Sequence, residues 1–244
     1  MGIVSKRMID PRILLEFRQL AETGKNPRDF DCEQISKRVG HPDGWGMACL
    51  AGDGETYRRS HLKATEDSQY EAAVREVSNL GSPPYILMAH LRRAARMETI
   101  KQEYNQPYRR EVGGRIVFFA HNGDIEGFGV REGRIDSQVY FERLLAKIGE
   151  QPLPLAEFKK RLGEVKSSFV TEFPRKVTSL TCLMSDGEEI VGHRDSRKCP
   201  PYHSLHEART DGLFVICSEV LSTVEGRWRL LKNDETVSFS LNEL

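Results

Sequence analysis

The stretch SLTCLMSDGEEIVGH, residues 179–193, decides how the rest of this chain is read. Two short apolar-rich runs, Ser179–Met184 and Glu189–His193, are separated by Asp186-Gly187, a pair suited to a tight hairpin turn. The pattern predicts two antiparallel neighbours. Downstream, Leu213–Cys217, Trp228–Lys232 and Val237–Leu241 read as further strands, with Asn233-Asp234 as the last turn. Upstream, Met1–Val4, Trp45–Leu50, Thr56–Arg59, Tyr85–Ala89 and Ile116–Ala120 read the same way, and Gly52-Asp53-Gly54 reads as a turn. Four segments show helical spacing instead. Asp10 and Pro11 form a start signal for Leu14, Leu15, Phe17 and Leu20, and Gly24 ends that helix. Ser68–Leu80 carries Tyr70, Val74 and Val77, and Pro83-Pro84 stops it. Asp136 or Ser137 caps a helix with Tyr140, Leu144 and Ile148, and Leu155–Phe169 follows with Phe158, Leu162 and Val165 in register. Strands that come in hairpins, without a helix between each pair, argue for antiparallel sheets with helices packed outside. That is an α+β arrangement rather than a doubly wound parallel sheet.

At 244 residues the chain fits one domain, residues 1–244, with 36 basic and 36 acidic residues. That balance gives no support to a nucleic-acid or membrane-surface role; local clusters such as Arg92, Arg93 and Arg96 read as a solvated face. Five cysteines at irregular spacing, with no CxxC pair, read as reduced thiols of a cytoplasmic protein, and Cys49, Cys182 and Cys217 sit in apolar core runs. No signal-peptide pattern opens the sequence, and no run is long and apolar enough to span a membrane.

Three strings carry chemistry: His90-Leu91-Arg92, His121-Asn122-Gly123-Asp124-Ile125 and Asp136-Ser137-Gln138. Asn122 offers an amide donor at a strand end. Gly123 can take positive φ and leave its N–H free. Together these are the parts of an oxyanion hole, and equally those of a common tight turn. Arg92, just past a strand, can clamp a carboxylate through paired N–H···O bonds or make a surface ion pair. Asp136 can accept bonds from an ammonium or cap its helix. In His41-Pro42-Asp43-Gly44-Trp45-Gly46, Trp45 can wall a pocket or pack in the core, and the glycines permit close backbone approach.

These strings, with Gly2-Ile3-Val4 at the start and Ser218-Glu219 near the end, run in an order that resembles a class II glutamine amidotransferase domain of the N-terminal-nucleophile hydrolase superfamily. The His41–Gly46 run is similar to its small stand-alone branch. The resemblance covers nearly the whole chain. It implies a four-layer αββα sandwich and hydrolysis of the glutamine side-chain amide to glutamate and ammonia through a γ-glutamyl thioester. It implies that Arg92 holds the substrate α-carboxylate, that Asp136 holds the α-ammonium with Trp45 and Gly46 beside the substrate, and that Asn122 and Gly123 form the oxyanion hole. His90 and His121 would be structural neighbours. No cofactor is implied; the partners implied are glutamine or another γ-glutamyl compound and a synthase subunit that receives ammonia.

The chain departs from that family in one chemically decisive place. The nucleophile is an amino-terminal cysteine whose own α-amine moves the proton. The alignment puts Met1 there, and a thioether has no thiolate form. A coding start upstream of Met1, an altered or truncated chain, and a pocket that binds without hydrolysing all fit the sequence. Ala95 stands where many members have threonine. A γ-glutamyl peptide or amide hydrolase, or an inactive glutamine-binding regulatory module, are the alternatives. The sequence shows no G-x-S-x-G elbow, P-loop or H-E-x-x-H. His193, Cys199, His203 and His206 have borderline spacing for zinc, and no metal is expected.

Overall fold

Successive residues of a strand face opposite sides of its sheet, and in this protein both sides are apolar. The computed structural model describes residues 1–32, 38–52, 54–150 and 154–243. Its strands are β1 (Gly2–Ser5), β2 (Trp45–Ala51), β3 (Gly54–Ser60), β4 (Tyr85–Leu91), β5 (Tyr108–Val112), β6 (Arg115–Asn122), β7 (Thr181–Ser185), β8 (Glu189–His193), β9 (His206–Thr210), β10 (Leu213–Cys217), β11 (Arg229–Leu230) and β12 (Thr236–Ser240). Its helices are α1 (Pro11–Thr23), α2 (Ser68–Asn79), α3 (Asp136–Ile148) and α4 (Leu155–Glu172). Seven strands pair in the order β11-β9-β10-β1-β4-β2-β3, and five in the order β12-β8-β7-β6-β5. Every neighbour is antiparallel.

The alternation sorts the core into three layers. Ile3, Met47, Cys49, Leu87, Ala89 and Val215 pack with Leu14 and Phe17 of α1 and Tyr70 and Val74 of α2. Val117, Phe119, Cys182 and Met184 pack with Tyr140 and Leu144 of α3 and Leu162 and Phe169 of α4. Between the sheets lie the residues of opposite parity: Val4, Ala48, Ile86, Met88, Phe118, Ala120, Leu183, Phe214 and Ile216. The result is helix, sheet, sheet, helix, as expected from the sequence. Each fully buried Phe or Leu in these layers adds roughly 1.5–3 kcal/mol, and the double-sided burial explains why the central strands lack a polar face.

The start of α1 follows its sequence signal: Asp10 Oδ1 accepts the N–H of Arg12 at 2.9 Å, with Pro11 as first helical residue. Gly24 closes the helix at φ −56°, not in the left-handed region; its N–H donates to Leu20 O. Other elements differ from the sequence reading. β5 and β9 carry charged residues between their apolar ones and were not foreseen as strands. The Trp228–Lys232 run shrinks to the two residues of β11. Asp53, read as part of a turn, lies outside the described residues.

The reduced-thiol expectation is corrected for two of the five cysteines. Cys32 and Cys199 form a disulfide, with Cα atoms 6.0 Å apart and a sequence separation of 167. It ties the segment after α1 to the segment after β8. Cys49, Cys182 and Cys217 are free and buried, as expected. No described helix is long and apolar enough to cross a membrane.

Candidate functional site

The start of β1, the ends of β4 and β6 and the first turn of α3 meet at one end of the sheets. They surround a cavity of about 660 Å³ whose lining includes Met1, Arg92, Asn122, Gly123 and Asp136. Residue 1 continues the β1–β4 ladder: its α-amino group donates to Ala89 O at 2.7 Å, and Ala89 N–H donates to Met1 O at 2.8 Å. Burial lowers the pKa of that amine from its ordinary value, which favours the neutral form that can take up a proton.

Past β4, the backbone of residue 92 is clamped to the approach of β2. Arg92 N–H donates to Gly44 O at 2.8 Å, and Asp43 N–H donates to Arg92 O at 2.9 Å. The buried guanidinium is aimed by Thr99: Nη1 donates to Thr99 O at 2.6 Å and Nη2 to Thr99 Oγ1 at 3.1 Å. Burial lowers its pKa, while Tyr108, Asp43 and Asp136 pull the other way. Asp43 itself accepts from Ala94 N–H at 2.8 Å and from Arg38 at 2.5 Å.

The string His121-Asn122-Gly123 straddles the end of β6. His121 N–H donates to Gln106 Oε1 at 2.5 Å, and its Nε2 lies 2.9 Å from Ser179 O. Asn122 is half-buried. The sequence reading gave Gly123 a positive φ; the structure corrects this, since Gly123 is not among the positive-φ glycines. Glycine is needed because Ser179 O occupies the place of a Cβ.

Asp136 is the first residue of α3 rather than its cap, which is Ile135. Its Oδ2 accepts Ile125 N–H and its Oδ1 accepts Ser137 N–H, both at 2.8 Å. Those bonds tie the Asn-Gly corner to the helix start. Burial raises the Asp136 pKa against these bonds and the Arg92 charge. Asp124, also lining the cavity, is pushed up to about 6 by burial and then by Asp136. A cation entering beside this pair would favour the charged form of both.

His41, His90, His121 and His203 line the same cavity, and the last three are the most deeply buried of them. His90 Nδ1, His121 Nδ1 and both ring nitrogens of His203 have no hydrogen-bond partner. Burial drives His203 down to about 3 and lowers His90 and His121 as well. They are therefore neutral near pH 7, each with a ring nitrogen open to a ligand.

Trp45 and Gly46 are not part of this lining, a correction to the sequence reading. Trp45 is fully buried under α2, edge-on to Tyr70, with Nε1 donating to Asp67 Oδ2 at 3.0 Å. Gly46 is held against Gln106 O, which stands where a Cβ would be. Ser218 does line the cavity; its carbonyl accepts from Lys25 Nζ at 2.9 Å, and Glu219 Oε1 accepts Lys25 N–H at 3.1 Å. Cys199 is committed to its disulfide, so the Cys199–His203–His206 spacing has no thiolate to give a metal. Among the described residues the group close enough to ligate a metal is His193, Asp195 and Asp234. Lys166 Nζ already sits there, 2.8 Å from His193 Nε2, 2.9 Å from Asp195 Oδ2 and 2.5 Å from Asp234 Oδ1. Thr99, Gln106 and His203 were not singled out as substrate-site residues from the sequence, since isolated polar residues in loops carry no spacing signal.

The sequence profile of the family described as "Glutamine amidotransferases class-II" matches residues 28–239. The chain belongs to this family. Arg92, Asn122, Gly123 and Asp136 of this family member lie inside the matched span, and Met1 lies outside it. Among curated relatives it is similar to the uncharacterized protein MJ1515 of Methanocaldococcus jannaschii, 24% identical over 84% of this chain and 62% of that one. It is also similar to YafJ of Escherichia coli (strain K12), provisionally named a glutamine amidotransferase, 27% identical over 63% of this chain and 60% of that one. The chain thus spans about three fifths of the length of these relatives. Among solved structures, the glutamine phosphoribosylpyrophosphate amidotransferase from B. subtilis superposes with a TM-score of 0.63 at 17% identity, over 98% of this chain and 47% of that one. That likeness is one of fold, an αββα arrangement that the two share.

Proposed function

We propose that the cavity binds glutamine by both ends of its amino-acid moiety. Arg92 takes the α-carboxylate and Asp136 the α-ammonium, while Asn122 and Gly123 N–H receive the oxygen of the side-chain amide. The observation that carries this reading is the convergence of those four residues and the α-amine of residue 1 on one cavity. A guanidinium set by Thr99 and a carboxylate set by two backbone N–H groups are already aimed, so little ordering is left for binding.

Hydrolysis in this pocket requires a thiolate at position 1. It attacks the amide carbon, and the negative charge moves to the amide oxygen facing Asn122 and Gly123. The α-amine, made less basic by burial, takes the thiol proton and returns it to the departing ammonia. Water then cleaves the thioester, releasing glutamate. A methionine at residue 1 supplies no thiolate, so in this reading turnover belongs to a form that carries an amino-terminal cysteine there. Delivery of ammonia to a synthase subunit belongs to the same proposal, because free ammonia is protonated in water near pH 7.

The test is ammonia release from glutamine by the Met1→Cys variant with its α-amine free, beside the unaltered chain. The variant is expected to release ammonia and to accumulate a thioester on residue 1. The unaltered chain is expected to bind glutamine in calorimetry without turnover. Failure of either protein to bind glutamine overturns the reading.

A further inference from the structure

The cavity holds more cationic recognition than glutamine uses. Its volume of about 660 Å³ lies in the range that encloses a drug-sized ligand, and glutamine is far smaller. Four arginines line it: Arg38 is paired with Asp43 and Arg96 with Glu98, which leaves Arg92 and Arg93. They are fixed to different walls. Arg92 is bound to Thr99. Arg93 donates from Nη1 to Arg38 O at 3.2 Å and lies over the ring of Tyr202, 4.9 Å from its centroid.

Arg93 is half-buried, and none of its hydrogen bonds goes to a carboxylate among the described residues. Burial, then the charge of Arg38, brings its pKa down to about 10, and Asp43 opposes them. Asp43 does not neutralise it directly: its two oxygens are engaged by Arg38 and by Ala94 N–H. Among the carboxylates that line the cavity, Asp124 feels Asp136, His121, Glu126 and Arg96, and Glu126 is paired with Lys198. A half-buried cation held by a carbonyl and an aromatic face has an anion-binding position open toward the cavity.

We infer that the cavity takes, besides glutamine, γ-glutamyl amides whose amine half carries a carboxylate, as in a γ-glutamyl amino acid, and that Arg93 recognises that second carboxylate. The inference rests on the γ-glutamyl reading of the pocket and adds the class of the leaving group. In a cysteine-bearing form the bond broken is the γ-amide, and the leaving amine departs as an amino acid in place of ammonia.

The experiment is a calorimetric comparison of γ-glutamylglycine with γ-glutamylglycinamide, ligands that differ only in the second carboxylate. The unaltered protein is expected to bind the carboxylate about tenfold more tightly, the gain of one charge-assisted hydrogen-bonded pair. Arg93→Gln is expected to bring that ratio close to one, and Arg93→Lys to restore part of it. Equal binding of the two ligands to the unaltered protein, which needs no variant to fold, overturns the inference and leaves the γ-glutamyl reading standing. A preference that survives R93Q also overturns it. Binding of neither ligand removes the γ-glutamyl reading, and this inference with it.

Discussion

Beneath α2, Trp45 and Tyr70 are buried together, and each polar handle finds a partner: the indole N–H on Asp67 at 3.0 Å, the phenol on Leu14 O at 2.9 Å. At the sheet ends the same protein buries His90, His121 and His203 with ring nitrogens that find none. The first region is built on β2 under α2, the second on the ends of β4 and β6. A buried polar atom left without a partner costs about 1–3 kcal/mol. Unpartnered ring nitrogens gathered along one cavity are places where a bound ligand can supply the missing hydrogen bonds. Stability is invested under α2, and recognition at the cavity.

Substitutions can break that contrast in both directions. Trp45→Ala is expected to destabilise the protein by about 3–5 kcal/mol through lost burial and a cavity, read as a fall in the thermal midpoint, while the folded fraction keeps its glutamine affinity. An affinity loss in that variant would put Trp45 back at the site. Arg92→Ala is expected to do the reverse. It weakens glutamine binding by about a hundredfold or more, since it leaves a buried carboxylate without its partner, and it changes the thermal midpoint little. An unchanged dissociation constant would remove Arg92 from the site.

The effect of pH is the smallest per unit change. His203 is held at about 3 and His193 at about 4 by burial, against about 6.5 in an unfolded chain. Between pH 6.5 and those values the unfolded state binds protons that the folded state does not. Stability present above pH 6.5 is therefore lost as pH falls, at about 1.4 kcal/mol per pH unit for each histidine. His203→Gln is expected to remove one histidine's share of that slope in denaturant titrations across pH 4–7. An unaltered slope would mean that His203 is protonated in the folded protein.

Much of this contrast was legible in the sequence, and the rest was hidden for physical reasons. The layers could be read because strands buried on both faces are apolar throughout, and because Asp10-Pro11 and Asp186-Gly187 act locally. β5 and β9 were missed because their alternating charged residues lack an apolar run. Arg92, Asn122, Gly123 and Asp136 could be nominated together, because each lies at the end or start of a readable element. What aims them could not: Thr99 and Gln106 reach the site through loops, and Ser179 reaches Gly123 by pairing of β6 with β7. Trp45 was ambiguous because a tryptophan beside glycines looks alike under a helix and beside a pocket. The Cys32–Cys199 pair joins loops 167 residues apart, which spacing alone does not reveal.

The central claim is that one γ-glutamyl moiety spans from Arg92 to Asp136 with its amide carbonyl at Asn122 and Gly123. A crystal structure of the unaltered protein with glutamine tests it most directly, because Met1 leaves the amide uncleaved. The account predicts the α-carboxylate on the Arg92 guanidinium, the α-ammonium on Asp136 and the amide oxygen at the Asn-Gly corner. Glutamine bound elsewhere, or lying in the cavity with its α-carboxylate away from Arg92, would contradict it.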